Sequence, residues 1–319
     1  MRYFLVLILI VFLVEPVVAK SRDSRDCESV EPDRSIRGCT RIIRQGTKSR
    51  MSLAGAYYNR GNAYKKRGQY DKAISDYSRT IKLDPNAADA YTSLGILYKI
   101  KGDNDRAITN FSRAIAVDPK FTKAYYQRGL RYSMKGDYDS AIFDFTEVIR
   151  LDPITAVAYF NRGLAYRSKG DNDRAISDLS QAIKLNLKSW PVYYLRAQAY
   201  YGKNQDDKAI VDFTQTIRLN PKNSDAYYWR AMTYYFKPQY DKAIVDFTQT
   251  IRLNPKKTDA YYYRAKAYSK DDRWGLAARD YKRYLKLKDK PTSDDLATAA
   301  WLWSKARSGD KRDQRRENK

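Results

Sequence analysis

Arginine and aspartate recur 16 residues apart at six places in this chain of 319 residues. At a seventh place, where the same spacing would put such a pair, both members are replaced together, by Leu94 and Asn110. A guanidinium and a carboxylate form strong bidentate hydrogen bonds, so their joint loss indicates that each arginine bonds to its own aspartate. We predict six structural ion pairs: Arg60 with Asp76, Arg128 with Asp144, Arg162 with Asp178, Arg196 with Asp212, Arg230 with Asp246, and Arg264 with Asp280.

Other side chains that could catalyse a reaction are scarce. The chain has no histidine, which is the commonest metal ligand and general base, and its only cysteines are Cys27 and Cys39. Two thiolates cannot complete a structural zinc site. Carboxylate pairs such as Asp206 and Asp207 recur at the predicted turns between helices, where exposure to solvent is sufficient to explain them. The sequence therefore predicts no catalytic, cofactor-binding or metal-binding residue, and a protein that is not an enzyme.

The ion pairs belong to a 34-residue repeat that occurs seven times without an insertion. Counted from the first residue of each repeat, positions 4 and 11 are always tyrosine, and position 20 is always alanine. Position 8 is glycine or alanine, and position 24 is aromatic except at Leu179. A fixed period of this size is typical of stacked supersecondary units that bury a face only against their neighbours. The repeats begin at residues 54, 88, 122, 156, 190, 224 and 258.

Each repeat has the pattern of two helices joined by a tight turn. In the third repeat, apolar residues follow helical spacing on both sides of Gly136, and Pro153 ends the second run. This pattern closely resembles the tetratricopeptide repeat family, and in particular exported members of that family from Gram-negative bacteria. The resemblance implies an all-α fold, a right-handed α-solenoid of seven helix-turn-helix repeats over residues 54–291. It also implies a non-catalytic scaffold for protein–protein interaction.

Both ends of the array are predicted to be capped. Residues 20–53 are predicted to form a degenerate half-repeat, in which residues 33–43 match the second-helix phase. In this alignment Cys27 takes position 12 and Cys39 position 24. In the family these positions lie on facing helices, which favours a disulfide over two unrelated buried cysteines. Residues 292–307 are expected to form a C-terminal capping helix. Residues 308–319 lack an apolar anchor, and we expect a disordered basic tail.

Residues 1–19 resemble an export signal. Arg2 precedes an apolar run over residues 3–14, and Ala19 follows two valines at a small-residue cleavage site. The alternative is an uncleaved membrane anchor, although Glu15 and Pro16 interrupt the run before the roughly 20 apolar residues that span a bilayer. We expect a periplasmic or secreted protein with no membrane-spanning segment after cleavage.

Two nearly identical repeats indicate where a partner would bind. Residues 207–222 and 241–256 are identical, whereas the preceding segments 190–206 and 224–240 agree at only 8 of 17 positions. Positions 2, 6, 9 and 13 are among those that differ. These positions share one stripe of the first helix. In the resembling family that stripe lines a concave groove for a peptide or partner segment. The alternative is that its rings pack between neighbouring first helices. The candidate binding residues on this stripe are Leu195, Gln198, Trp229, Met232, Phe236 and Tyr263, together with Asn59, Asn62, Lys123 and Gln127, which match in part the set with which some family members grip a carboxyl terminus.

The formal net charge of +24 allows a second interpretation. Basic residues such as Arg113, Arg150, Arg218 and Arg252 fall on predicted second helices, where a solvated outer face is the ordinary explanation. The alternative function is a basic surface that binds anionic envelope lipid or polysaccharide. Export disfavours a nucleic-acid partner. The preferred partner is therefore a protein or peptide.

Overall fold

A computed structural model describes residues 21–46 and 49–317, with side chains described as far as Ser308. Within these residues the chain forms seventeen α-helices and no strand. These described residues divide into two compact parts, one that ends at Ala124 and one that begins at Tyr125. The helices are α1 (Arg22–Cys27), α2 (Pro32–Gln45), α3 (Arg50–Lys66), α4 (Tyr70–Leu83), α5 (Ala88–Ile100), α6 (Asn104–Val117), α7 (Thr122–Lys135), α8 (Tyr138–Leu151), α9 (Ala156–Ser168), α10 (Asn172–Lys184), α11 (Trp190–Gly202), α12 (Asp206–Leu219), α13 (Ser224–Phe236), α14 (Tyr240–Leu253), α15 (Thr258–Lys270), α16 (Trp274–Leu287) and α17 (Ser293–Glu317).

Helices α3 to α16 form seven pairs, one pair for each repeat in the sequence. The predicted all-helical array of paired repeats is therefore confirmed. Odd-numbered helices from α3 to α15 are the first helices of the repeats, and even-numbered helices from α4 to α16 are the second helices. Helix α3 begins at Arg50, ahead of the first residue of the first repeat, Ala54.

The turn between the two helices of a repeat needs one residue with a left-handed backbone. Gly136 has φ of 78°, a conformation that is open to glycine without a steric penalty. The side chain of Asp137 then accepts the amide hydrogen of Ser140 and caps the next helix. In the fifth and seventh repeats, which lack this glycine, Asn204 and Asp272 take the left-handed conformation. Asparagine and aspartate tolerate it better than most residues do.

Small residues at positions 8 and 20 allow the two helices of a repeat to touch. Ala141 is fully buried, and so is the ring of Phe145 at position 24. A methyl group added at Gly129 would lie 3.0 Å from the Phe145 ring, and one added at Gly95 would lie only 2.6 Å from the ring of Phe111. The core of each repeat is therefore an aromatic or leucine side chain seated on glycine or alanine.

All six predicted ion pairs are present in the structure. In the fourth repeat, Arg162 donates from Nε and Nη2 to the two carboxylate oxygens of Asp178, with both distances 2.8 Å. Its Nη1 also donates to the hydroxyl of Thr146 in the preceding second helix. The guanidinium thus joins three helices, and it also lies between the rings of Tyr159 and Tyr166. The pairs in the other repeats are Arg60–Asp76, Arg128–Asp144, Arg196–Asp212, Arg230–Asp246 and Arg264–Asp280.

A second series of ion pairs, at the exposed turns, was not predicted. It joins a basic residue after the first helix of one repeat to position 18 of the preceding repeat. Lys237, for example, donates to Asp207 over 2.6 Å. Because these side chains are largely exposed, each pair stabilises the fold little. Their effect is to neutralise cations, and the same arrangement occurs in Lys101–Asp71, Lys169–Asp139, Lys203–Asp173 and Arg273–Asp241.

The N-terminal cap contains the predicted disulfide. Cys27 at the end of α1 and Cys39 in α2 are bonded and buried, with their Cα atoms 4.5 Å apart. Both α1 and α2 pack against α3, so the six-residue α1 replaces the first helix that a complete repeat would have. The disulfide holds this short helix in place where little apolar surface is available to do so.

The C-terminal cap is longer than predicted. The sequence analysis ended the capping helix at residue 307 and expected disorder beyond it, whereas α17 continues to Glu317. The expectation rested on the lack of an apolar anchor, but lysine, arginine, glutamine and glutamate are themselves good helix formers. Among the side chains described as far as Ser308, Ala299, Leu302 and Ala306 of α17 pack in the core cluster that includes α16.

No described helix is both long enough and apolar enough to cross a membrane. The predicted export signal, residues 1–19, lies outside the described residues.

Candidate binding surface

The candidate residues in the C-terminal part lie on first helices that touch one another in succession. Helix α11 contacts α9 on one side and α13 on the other, and α13 contacts α15. Positions 6, 9 and 13 of α11, α13 and α15 therefore come side by side. We call the exposed and half-buried side chains of these three helices the first-helix surface.

Trp229 stands at the middle of this surface. Its ring is half-buried and meets Tyr201 of α11 with centroids 5.4 Å apart. On its own helix it meets Tyr228, with centroids 5.5 Å apart. Both contacts are edge-to-face, the arrangement that aromatic quadrupoles favour. Trp229 thus joins two helices and also presents part of its ring outward.

Phe236, the last residue of α13, is the most open ring of the surface. It is 58 % exposed and touches Tyr235, with centroids 5.4 Å apart. Tyr235 in turn meets Tyr263 of α15, with centroids 5.7 Å apart. Tyr263 stacks on the buried Phe247 beneath it. The surface is therefore a continuous aromatic layer with a rigid base and one exposed ring.

Three other candidates on these helices are less available than the sequence predicted. Met232 is only 6 % exposed and belongs to the core cluster around Phe247. The predicted binding role of Met232 is therefore corrected to a packing role. Leu195 is half-buried against the core of the fourth repeat. Gln198 donates a hydrogen bond to the hydroxyl of Tyr194 over 3.0 Å.

Two residues of the surface, Tyr201 and Tyr235, both at position 12, were not predicted from the sequence. They are identical in the fifth and sixth repeats, and that identity was interpreted as packing. The signal that could have revealed them lies in the other repeats, where position 12 varies among lysine, serine and arginine. Lys266 at the edge of the surface was also missed, and its ammonium lies 4.7 Å from the ring centroid of Tyr262.

The remaining candidates fall into different parts of the structure. Asn59 and Asn62, in the part that ends at residue 124, line a cleft beside the disulfide, and Asn62 accepts a hydrogen bond from Tyr77 over 2.7 Å. Lys123 is exposed in the same part, and its charge adds to burial in lowering the pKa of Lys65. Gln127 is half-buried in the part that begins at residue 125.

The first-helix surface is neutral to slightly basic. Burial raises the pKa of Tyr194 to about 12, and burial likewise raises the pKa of Tyr235, so these phenols are protonated at neutral pH. The hydroxyl of Tyr262 raises the pKa of Lys266, which keeps that ammonium charged. Among the described residues there is no group of three acidic, cysteine or histidine side chains that could hold a metal ion. The arrangement can bind apolar groups and the backbone of a partner.

Family comparisons agree with the fold. Models described as tetratricopeptide repeat or TPR repeat match successive stretches that together span residues 54–294: residues 54–87, 77–109, 97–136, 122–154, 156–188, 190–223, 213–245 and 239–294. No curated protein sequence matches the chain.

Solved structures with the same helical architecture are distant in sequence. The pilF protein of Pseudomonas aeruginosa is 19 % identical, with a TM-score of 0.56, covering 69 % of this chain and all of its own. YrrB, described as a TPR protein with an unusual peptide-binding site, is 21 % identical with a TM-score of 0.54, covering 58 % of this chain and 95 % of its own. A repeat protein from Parabacteroides merdae is 18 % identical with a TM-score of 0.54, covering 78 % and 98 % of the two chains. These likenesses extend to the fold alone.

Proposed function

This chain belongs to the tetratricopeptide repeat family, and we propose that it binds an extended segment of a partner protein on the first-helix surface of α11, α13 and α15. Proteins of this family mediate protein–protein interactions and are typically non-catalytic. The proposal makes this chain a scaffold without catalytic activity of its own.

The observation that carries the proposal is the exposed ring of Phe236 set in a layer of half-buried rings. A partner that covers an exposed aromatic side chain stabilises the complex by about 25 cal/mol for each Å² of apolar surface removed from water. Neighbours Tyr235, Tyr263 and Trp229 are already held by ring contacts, so a partner would lose little entropy in ordering them. Rigid aromatic anchors of this kind dominate the energetics of protein interfaces.

The partner segment should carry apolar side chains and little positive charge. Lys266 stands at one edge of the layer, and Lys257 lies over the ring of Tyr228, with its ammonium 4.8 Å from the centroid. Lys257 also bonds to Asp225, so its charge is partly neutralised. A segment rich in lysine or arginine would be repelled by these cations.

Photocrosslinking from two matched positions tests the site. Phe236 on the first-helix surface and Phe143 on second helix α8 are almost equally exposed, at 58 % and 59 %. We expect benzoylphenylalanine at residue 236 to capture a protein partner in the native cell, whereas the same residue at 143 captures none of that partner. Capture of the same partner with equal yield from both positions would contradict the proposed site.

We further infer that the chain is exported. The signal-like residues 1–19 and the disulfide between Cys27 and Cys39 both favour an oxidising compartment. Mass spectrometry of the mature protein is expected to find an N-terminus at Lys20 and no free thiol. An intact Met1 together with two reduced cysteines would contradict export.

A further inference from the structure

The positive charge of the repeats is not distributed evenly, because two of its components are neutralised. The buried arginines each bond to an aspartate, as Arg230 does to Asp246. The exposed lysines after the first helices bond to aspartates of the preceding repeat, as Lys237 does to Asp207. The uncompensated cations must therefore lie elsewhere.

Many of them lie on the outward faces of the second helices. Positions 19, 22, 26 and 29 follow one another at spacings of three, four and three residues, which places them on one side of a helix. In α8, α10, α12, α14 and α16 we call these positions the outer stripe. Its residues are half-buried or exposed, and Glu147 is its one acidic member. Its basic members are Arg150, Arg174, Lys184, Lys208, Arg218, Lys242, Arg252, Arg279, Arg283 and Lys286. Two of them have an acidic partner, Arg150 in Glu147 and Arg174 in Asp171.

Helices α12 and α14 show the stripe most clearly. Lys208 donates to the neutral Gln205 over 3.1 Å, and Lys242 donates to the neutral Gln239 over 3.0 Å. In the part of the chain that the structure describes, neither lysine contacts a carboxylate. The same holds for Arg218, about three turns further along α12, and for its counterpart Arg252 in α14. Four cations are thus exposed without an acidic partner.

Apolar side chains lie between these cations at position 22 of α8, α12 and α14, whereas α10 and α16 have Ser177 and Arg279 there. Val211 of α12 and Val245 of α14 are each 67 % exposed, and Phe143 of α8 is 59 % exposed. They are separated from the core by their own helices, so they do not contribute to packing within a repeat. A solvated face would gain nothing from apolar residues at its centre. An exposed apolar row flanked by cations is instead the composition of surfaces that lie on a bilayer.

We propose that the outer stripe of residues 125–319 docks on an anionic lipid surface. Lysine and arginine side chains would reach lipid phosphates, while Phe143, Val211 and Val245 enter the boundary between headgroups and acyl chains. Charge alone would suit a nucleic acid equally well. The aliphatic row favours lipid, because single strands are bound by stacking aromatic rings, which Val211 and Val245 cannot provide.

This docking leaves the first-helix surface free. The outer stripe belongs to second helices, whereas the proposed peptide surface belongs to α11, α13 and α15. A protein bound to lipid in this way could hold a partner segment at the membrane. Because the two surfaces share no residue, each proposal can fail while the other stands.

Vesicle co-sedimentation with the full-length mature protein tests the proposal. We expect binding to vesicles of phosphatidylcholine and phosphatidylglycerol, weak binding to phosphatidylcholine alone, and a steep loss of binding as salt is raised. The variant Lys208→Gln, Arg218→Gln, Lys242→Gln, Arg252→Gln should lose affinity on the order of a hundredfold, because each cation near the surface contributes several-fold. Circular dichroism would verify that the helices remain.

A control with the same change in net charge separates the stripe from charge in general. Lys169, Lys203, Lys237 and Lys257 are each paired with an aspartate, so changing all four to glutamine should weaken vesicle binding by less than about tenfold. Equal losses in the two quadruple variants would overturn the proposal.

A third variant separates lipid from other polyanions. Changing Phe143, Val211 and Val245 to serine should weaken binding to the anionic vesicles about tenfold and leave binding to dextran sulfate and duplex DNA unchanged. Undiminished vesicle binding by this variant would overturn the lipid proposal in favour of a general polyanion surface.

Discussion

Arg128 and Asp144 are joined by two parallel hydrogen bonds, from Nε over 2.9 Å and from Nη2 over 2.7 Å, between the two helices of the third repeat. Asp144 is fully buried, and the guanidinium of Arg128 lies between Tyr125 and Tyr132. The second repeat replaces the pair with Leu94 and Asn110 and still forms both of its helices. An arginine–aspartate pair and a leucine–asparagine pair can therefore both occupy these two positions between the helices of a repeat.

Removal of one partner alone should be costly. Asp144→Ala leaves Arg128 buried without a counter-charge, and we expect a loss of about 3 kcal/mol in the free energy of unfolding. The double change Arg128→Leu, Asp144→Asn copies the second repeat and should recover most of that loss. Urea unfolding followed by circular dichroism measures both. Asp139→Ala, which removes an exposed partner of Lys169, is the control and should shift the midpoint little.

If Asp144→Ala and the double variant were equally destabilised, leucine and asparagine could not replace the ion pair in the third repeat. If Asp144→Ala matched the Asp139 control, the buried pair would add nothing to stability.

Glycine at position 8 is expected to matter unequally among the repeats. In Gly95→Ala the new methyl would lie 2.6 Å from the Phe111 ring, so helix or ring must move, and we expect a loss of about 1–3 kcal/mol. In Gly129→Ala the nearest ring atom of Phe145 is 3.0 Å away, and alanine's better helix propensity offsets the smaller crowding. Thermal unfolding of the two single variants compares them directly. A larger loss for Gly129→Ala would contradict this account of the core.

Acid should release the C-terminal cap. Asp295 is buried and accepts hydrogen bonds from Lys288 and from the amide of Thr292, which lower the pKa of its carboxyl. A depressed folded-state pKa contributes stability that is present above the unfolded value of about 3.9 and is lost as the pH falls below it. The contact between Trp274 and Trp301 should then break, because it joins α16 to α17. Near-ultraviolet circular dichroism between neutral pH and acid follows the change.

Asp295→Asn should weaken the cap at neutral pH and remove this acid dependence. The neighbouring Asp294→Asn, at an exposed position, should preserve both the cap and its response. An unchanged acid transition in Asp295→Asn would assign the pH response to another group.

Much of this architecture was predictable from periodicity. Tyrosine, glycine and alanine at invariant positions specify where two helices touch, and the joint loss of Arg and Asp at Leu94 and Asn110 revealed the ion pairs. The reach of α17 was not predictable, because absence of an apolar anchor does not prevent lysine- and arginine-rich sequence from being helical. The burial of Met232 was not predicted, because residue spacing shows on which side of a helix a side chain lies but not how deeply it is buried. Tyr201 and Tyr235 were missed because identity between two repeats was equated with packing. The outer stripe could not be identified from the sequence, because that step depends on which lysines already have a carboxylate partner in the structure.

The most direct test of the account compares Phe236→Ser with Phe143→Ser in one assay. A peptide selected by phage display on the wild-type protein would be labelled, and its affinity measured by fluorescence anisotropy. We predict that Phe236→Ser weakens the peptide at least tenfold, by ~1.4 kcal/mol or more, whereas Phe143→Ser leaves its affinity unchanged. Equal affinities of the two variants for the peptide, or a loss confined to Phe143→Ser, would contradict the assignment of the binding surface to the first helices.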